Sequence, residues 1–294
     1  MSCKPANEPT LKVGNIPWAG YEVLHLARAL DLYPEDRIKL IELSSSTETL
    51  RALRHGQLDV GALTLDEVLR LSEQIDDLQI LLITDISNGA DKIIGGPNVN
   101  KLSDLKGKRI GVEEGAVGAY LLFQALQKAE LTVDDITVVP STVNQHFSLM
   151  QKRQIDAVVT FDPTGYKLQE LGYKLLIDSQ HIDSKIMDVL VARKSVLQTH
   201  PESLQLLIDN YWPALDYLKQ HPKEAHSIIA PRLGVSVSQL GSLYQQLILP
   251  DKQESQRIME TALPSYIQQT GEFLLQQGLL TQIPDSPSLL PNYE

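Results

Sequence analysis

The chain has 294 residues, enough for one large domain or two of ordinary size, and 43% of them are hydrophobic, enough to fill the cores. Its 37 acidic against 26 basic side chains leave a formal charge of −11, and no run of Lys or Arg is long enough to follow a phosphate backbone, which excludes nucleic acid as a partner. A single cysteine excludes internal disulfides and Cys-based zinc clusters, and no stretch approaches the ~18 uninterrupted apolar residues of a membrane-spanning helix.

The opening MSCKPANEPT is polar and contains proline, so residues 1–9 read as a flexible leader. Cys3 follows the small Ser2, the arrangement at which a secreted bacterial lipoprotein is cut and its cysteine lipidated. The expectation is a mature lipoprotein tether, anchored through Cys3 on the periplasmic or extracellular face of a bacterial membrane. A cytosolic protein with an incidental cysteine is the alternative.

From Leu11, the strand LKVGNIP leads into a run of helical period, AGYEVLHLARALDLY. Residues 38–66, IKLIELSSSTETLRALRHGQLDVGALTLD, add a strand, a helix and a further strand. Residues 81–96, LLITDISNGADKIIGG, then break a buried strand with small and acidic residues. The expectation is a strand over Leu78–Ile83 that closes a first lobe, and a crossover at Ser87-Asn88-Gly89-Ala90 whose small residues absorb hinge rotation. A calcium loop is excluded by spacing: counted from Asp85, the sixth position is Ala90 and the twelfth Gly96, where Gly and Glu are required.

Lys101–Gly107 is expected to open a second lobe that repeats the first. KRIGVEE at 108–114 echoes LKVGNIP, VGAYLLFQALQKAEL is its helix, and ITVVPSTVNQHFSLMQKRQIDAVVTFD at 136–162 echoes 38–66. Gly14 aligns with Gly111, Ile38 with Ile136, Asp59 with Asp156, Thr64 with Thr160 and Asp66 with Asp162. The fold class is therefore α/β: two β-α-β-α-β lobes with parallel sheets. Ligands of such sheets sit beyond the carboxyl ends of the strands. Those ends are GNIPWAGY, ALTLDE, VEEGAVGAY and TFDPTGY, and facing lobes bring them to one cleft. From about residue 198 the pattern is helical, with Pro near helix starts and Gly near ends, and these extra helices are expected on the first lobe, before an irregular tail TQIPDSPSLLPNYE.

Enzyme signatures are missing: there is no nucleophile elbow, phosphate loop or dinucleotide fingerprint. His221 and His226 are five apart, which misses zinc spacing, and His25 and His146 read as surface or half-buried helix residues. No cofactor and no metal are expected. Trp18 and Tyr21 could stack on a flat ligand or cover the lobe's own core. Gly115-Ala116-Val117 opens a helix whose free N–H groups could hold a carboxylate or carbonyl oxygen, or is an ordinary helix start. Asp66, Asp91, Glu113, Asp162 and Asp188 sit at strand ends or crossovers; Asp66 has a helix-cap reading and Asp162 a turn reading. With only Lys92 and Lys185 nearby, the cleft reads as acidic, which favours a neutral or cationic ligand bearing amines or amides. A small anion held by helix N-termini is the alternative.

The segments GNIPWAGYEVLHLARALDLY, RHGQLDVGALTLDEVLRL, LITDISNGADKIIG, LKGKRIGVEEGAVGAYLL, IDAVVTFDP and IMDVLVARKS together resemble the solute-binding proteins of ABC importers, in the nitrate, sulfonate, taurine and thiamine-pyrimidine group. The resemblance covers most of residues 10–280. It implies a type II periplasmic-binding-protein fold, with two crossovers, the second near Lys185–Val189. Lobe 1 would comprise 10–87 plus 189–294, and lobe 2 would comprise 88–188. It implies ligand contacts at Trp18, Tyr21, Leu63, Thr64, Ser87, Asn88, Gly115, Ala116, Val117, Phe161, Asp162 and Asp188. It implies a monomer that delivers its ligand to a membrane permease and is not an enzyme. The acidic loops depart from the anion-binding members. An enzyme of thiamine-pyrimidine synthesis on the same fold remains an alternative, as does a sensor with a signalling partner. The enzyme would need a histidine in the cleft, and the family's cysteine-rich motif for that chemistry is absent.

Overall fold

The computed structural model describes residues 8–113, 117–183 and 185–291; Cys3, Gly115 and Ala116 lie outside them. Two mixed sheets carry the chain. The first contains β1 (Leu11–Asn15), β2 (Ile38–Glu42), β3 (Val60–Thr64), β4 (Leu78–Ser87), β10 (Met187–Arg193) and β11 (Leu247–Ile248), in the order β11-β4-β10-β3-β1-β2. The second contains β5 (Asp91–Gly95), β6 (Arg109–Val112), β7 (Thr137–Pro140), β8 (Ala157–Phe161) and β9 (Lys174–Asp178), in the order β7-β6-β8-β5-β9. In each, three strands are parallel and the next is antiparallel: β10 runs against β3, and β5 against β8. The expected all-parallel sheets are thus corrected. The fourth strand of each sheet enters from the far side of a crossover, so it returns in the opposite direction.

The duplication is physical. Asp59 accepts the backbone N–H of Lys12 at 2.8 Å, and Asp156 accepts that of Arg109 at 2.9 Å, each carboxylate fastening the first strand of its unit. A Cβ on Gly14 would lie 2.2 Å from Leu58, and one on Gly111 would lie 2.5 Å from Ile155, so each glycine makes room for the same close side-chain approach. Five helices flank these strands: α1 (Glu22–Ala29), α2 (Ser46–Arg54) and α3 (Leu65–Ser72) beside the first sheet, α4 (Val117–Lys128) and α5 (Val143–Gln151) beside the second, followed by the short α6 (Thr164–Glu170).

The break in LLITDISNGADKIIGG is shorter than expected. β4 continues through Asp85, Ile86 and Ser87 because their polar groups find partners, and only Asn88, Gly89 (φ +114°) and Ala90 separate it from β5. β5, rather than Lys101–Gly107, is the first strand of the second sheet. At the return crossing, Ser179 Oγ donates to or accepts from Ser87 Oγ at 2.8 Å and accepts the Gly89 N–H at 2.7 Å, so the two crossing segments are bonded to each other.

The remaining helices are α7 (Lys194–Thr199), α8 (Pro201–Gln220), α9 (Pro222–Leu233), α10 (Val237–Tyr244), α11 (Lys252–Thr261), α12 (Leu263–Gln276) and α13 (Ser286–Leu289). Helical period does not hold to the end of SVSQLGSLYQQLIL: Leu247 and Ile248 join the edge of β4 as β11. The tail is not wholly irregular, since α13 buries Leu289. α12 packs against α3 and also reaches α4, where the Phe273 and Tyr120 rings meet edge-on with centroids 4.9 Å apart. One hydrophobic core accordingly spans residues of both sheets.

Gly95, at the end of β5, tests this packing. A Cβ there would stand 2.2 Å from the Val99 carbonyl oxygen, a backbone atom that cannot rotate away. Gly95→Ala should lower unfolding stability by about 2 kcal/mol, read by urea denaturation with the slope unchanged.

Candidate functional site

Strand pairing places Thr64, Asp188 and Asp85 side by side on β3, β10 and β4, at the edge of the first sheet that faces the second. Asp85 accepts Trp18 Nε1–H at 3.2 Å and Thr84 Oγ–H at 3.2 Å, while the Tyr21 hydroxyl donates to Asp188. Both aromatic rings therefore sit on carboxylate anchors. Trp18 also meets Phe161, from the end of β8, edge-on at 5.3 Å between centroids.

Between the sheets lie two small cavities. One, about 20 Å³, is lined by Ile16, Trp18, Tyr21, Ser46, Thr64, Asp91, Val117, Phe161 and Asp188. The other, about 10 Å³, shares Ser46, Asp91, Val117 and Phe161 and adds Glu113, His146 and Thr160. Each has room for roughly one water. Phe161 lines both, and lines a wider open hollow of about 410 Å³ bounded by Pro17, Leu43, Asn144 and Thr164. The cleft is closed, with an aromatic ring between its interior and its mouth.

Asp91 is central to it. It lies on both cavities, is buried, takes its own N–H to Ser87 Oγ, and its Oδ2 has no hydrogen-bond partner. Burial pushes Asp91 up to about 7, Asp85 to about 7 and Asp66 to about 6. Glu67 rises to about 8, through burial and then its neighbour Asp66, and Asp188 rises well above the carboxylate range through burial and then Asp85. The buried amine beside them, Lys92, is paired with Asp162, whose other oxygen accepts the Tyr166 N–H at 2.8 Å.

Glu113 behaves differently. Its carboxylate accepts the N–H and hydroxyl of Thr47 at 2.9 and 2.8 Å, and the Val143 N–H at 3.3 Å. Those donors belong to the first turns of α2 and α5, one beside each sheet, so a negative group bridges two helix N-termini across the cleft.

Most of the expected residues converge here: Trp18, Tyr21, Thr64, Asp91, Glu113, Val117, Phe161 and Asp188 line the cavities. Others stand apart. Leu63 points into the core, because strand alternation turns it away from the face that Thr64 presents. Ser87 Oγ is held by Ser179 and the Asp91 N–H, and the Asn88 carbonyl accepts Gln180 Nε2–H at 2.8 Å. Asp162 is occupied by Lys92, and Asp66, with Oδ2 unpartnered, lies in the first turn of α3 rather than capping it; the N-cap is Thr64, whose N–H reaches Glu67 at 2.9 Å. His25 and His146 are buried, contrary to expectation, since each finds a polar partner: Asn15 for His25 and Thr160 for His146. Burial holds both imidazoles neutral, at about 3 and about 4. Ile16, Ser46, His146 and Thr160 lacked a local signal as site residues, although the alignment of Thr160 with Thr64 in the repeat pointed to it.

A cluster of metal-ligand type lies elsewhere, at Glu22, His25 and Glu42. Arg232 bridges both carboxylates, at 2.7 Å to Glu22 and 2.5 Å to Glu42, and supplies the positive charge a metal would.

Two α/β units closing on a cleft define the type II periplasmic-binding-protein fold. A family model described as NMT1/THI5 like matches residues 26–225, and the chain belongs to that family. A Brucella abortus (strain 2308) protein whose name calls it a candidate binding protein is 31% identical over 158 residues, 51% of this chain and 49% of that one, so the match spans about half the relative's length. The ligand-binding component of an ABC-type import system from Staphylococcus aureus, with zinc bound, is similar with TM-score 0.80 at 15% identity, over 97% of each chain. The alkanesulfonate-binding protein SsuA from Xanthomonas axonopodis pv. citri, bound to MOPS, has TM-score 0.75 at 19% identity, over 97% of this chain and 100% of that one. The desulfurization enzyme DSZB has TM-score 0.69 at 19% identity, over 97% of each chain. At these identities the structures establish the fold alone.

The raised carboxylates set the sign of a pH dependence. Each is protonated in the folded state at a pH where the unfolded chain has already lost the proton, so these groups cost stability as pH rises from about 4 through about 8, and they outweigh the buried neutral His25 and His146, whose lowered pKa values add stability up to about 6.5. The surface carboxylates held below their usual range, such as Asp156 beside Arg109, act below that window. Thermal unfolding without ligand should show a higher Tm at pH 5 than at pH 8.

Proposed function

We propose that the chain is the extracytoplasmic solute-binding protein of an ABC importer, and that it captures a small organic cation, or a neutral molecule rich in N–H donors, for delivery to a membrane permease. Residues 10–87 with 189–294 form one lobe and 88–188 the other, and ligand binds in the open state and is enclosed in a form less tightly closed than this one, whose cavities hold about one water each. Asp91 carries the reading of the ligand: a buried carboxylate oxygen without a partner faces a cavity walled by Trp18, Tyr21 and Phe161, and the nearest buried amine is committed to Asp162. An ammonium, amidinium or amino-heterocycle supplies what Asp91 lacks, and the three aromatic rings suit a flat or apolar body. The polar groups of this cleft anchor other side chains, which supports binding rather than turnover; the hydroxyl–imidazole contact that lines it, Thr160 with His146 at 3.1 Å, is held on its far side by the Ser141 carbonyl, and burial keeps that imidazole a weak base, with its pKa lowered to about 4.

A second reading, a sulfonate-type anion, is favoured by one observation. Two helix N-termini already hold the Glu113 carboxylate across the cleft, so the protein can stabilise a negative group there. The likeness to an alkanesulfonate-binding protein agrees with it.

A thermal-shift panel separates the two. Amines, amidines and aminopyrimidines at 1 mM are set against sulfonates, taurine and nitrate; a ligand with Kd near 1 μM adds roughly 4 kcal/mol of apparent stability. A cation should raise Tm, its affinity should increase from pH 5 to pH 8 as the carboxylates ionise, and Asp91→Asn should weaken it at least about tenfold while the variant still folds. A rise in Tm with anions alone, strongest at low pH and unaffected by Asp91→Asn, would overturn the cationic reading.

A further inference from the structure

A second charged site lies outside the cleft. Among the described residues, Arg28, Arg37, Arg109, Arg193, Arg232 and Arg257 all pair with carboxylates within 4 Å. Arg51, Arg54, Arg70 and Arg153 do not, and the first three line one crevice of about 220 Å³ between α2 and α3, with Thr47, Glu67 and Gln74. Arg51 and Arg54 stand one turn apart on α2 and are exposed at the rim. Arg54 donates to Gln74 Oε1 at 2.6 Å, which fixes its head at the rim. Arg70, on α3, is only partly exposed, and its Nη1 is buried without a hydrogen-bond partner.

Three guanidinium groups without ion-pair partners around one concavity, in a chain of charge −11, are an unusual placement. Side chains of like charge repel; Arg70 draws the carboxyls of Asp66 and Glu73, one turn away on either side, toward the ionised form, yet neither closes on it to within 4 Å. The concavity has the size for a compact group, and a partnerless buried N–H calls for an acceptor. Planar guanidinium forks match tetrahedral and planar oxyanions with paired hydrogen bonds. Glu67 is the one carboxylate of the wall; burial keeps its pKa near 8, so at neutral pH it is mostly a neutral acid that can donate as well.

We propose that the Arg51–Arg54–Arg70 crevice is a binding site for a compact, multiply charged oxyanion of the phosphate class, separate from the interlobe cleft and independent of what the cleft binds. Such a group reaches Arg70 at the base and the two α2 arginines at the rim. A free phosphate compound and a lipid headgroup share this chemistry.

Calorimetric titration of the full chain with pyrophosphate at low ionic strength tests the site, beside co-sedimentation with vesicles containing phosphatidic acid, whose phosphomonoester headgroup can carry two charges. Pyrophosphate should bind, the double variant Arg51→Ala/Arg54→Ala should weaken it at least tenfold, and the cleft variant Asp91→Asn should leave it unchanged. Both α2 arginines are exposed, so the double variant should unfold at the parental temperature. Vesicle binding lost in the double variant would identify a headgroup as the source, and pyrophosphate binding without vesicle binding a soluble compound. No heat with the parent protein at millimolar pyrophosphate and no vesicle binding, or equal binding by the double variant, would overturn the proposal.

Discussion

Burying carboxylates without enough cations governs the rest of this molecule. Asp66, Glu67, Asp85, Asp91 and Asp188 are taken from water near the junction of two sheets, where ionising any one of them opposes the others. The structure answers with neutral donors rather than charges: the indole N–H of Trp18, the hydroxyl of Tyr21 and the Thr64 N–H. Each donor also orients a wall of the cleft, so electrostatic satisfaction and the shape of the site are one feature. Lys92 is the exception, and removing its partner Asp162 would strand a buried ammonium. That makes Asp162 a structural residue, however close it stands to the cleft.

The same arrangement holds the cleft closed. The carboxylate of Glu113 joins Thr47 to Val143 across the gap, Trp18 meets Phe161, and Tyr120 meets Phe273. Opening exposes the apolar part of that seam, which at ~25 cal/mol per Å² disfavours the open form in proportion to the area uncovered. A ligand must then bind closed better than open by enough to hold the population, and an oxygen without a partner, such as that of Asp91, is where that difference is available.

How much of this was legible varied with the range of the interaction responsible. The repeat was, because Gly14 and Gly111 each admit a neighbouring side chain and Asp59 and Asp156 each fasten a strand, and such local roles leave a periodic trace. The strand ends that form the cleft followed from it. The reach of β4 through Asp85 and Ser87 was not legible, since those side chains are satisfied by Trp18 and Ser179, which are 67 and 92 residues away along the chain. His146 was misread for the same reason: a histidine on a helix looks exposed until Thr160 is known to face it. Arg51, Arg54 and Arg70 carry no local signal, because sequence does not show which arginines lack an ion-pair partner.

The choice between a cation and an anion turns on which feature of the cleft prevails. An anion entering beside α2 and α5 gains charge-assisted N–H bonds of roughly 1.5–3 kcal/mol each, but Glu113 already occupies those donors and would have to leave. It would also approach Asp91, and one ionised carboxylate at 4 Å opposes it by ~4 kcal/mol at an effective dielectric of 20. That opposition vanishes only while the carboxylates are protonated. A cation meets no such barrier: it pairs with Asp91, draws down the raised pKa values of Asp85 and Asp91 together, and leaves the Glu113 bridge intact. On the proposed cationic reading, the Glu113 bridge between α2 and α5 holds the cleft closed and the buried carboxylates select the ligand.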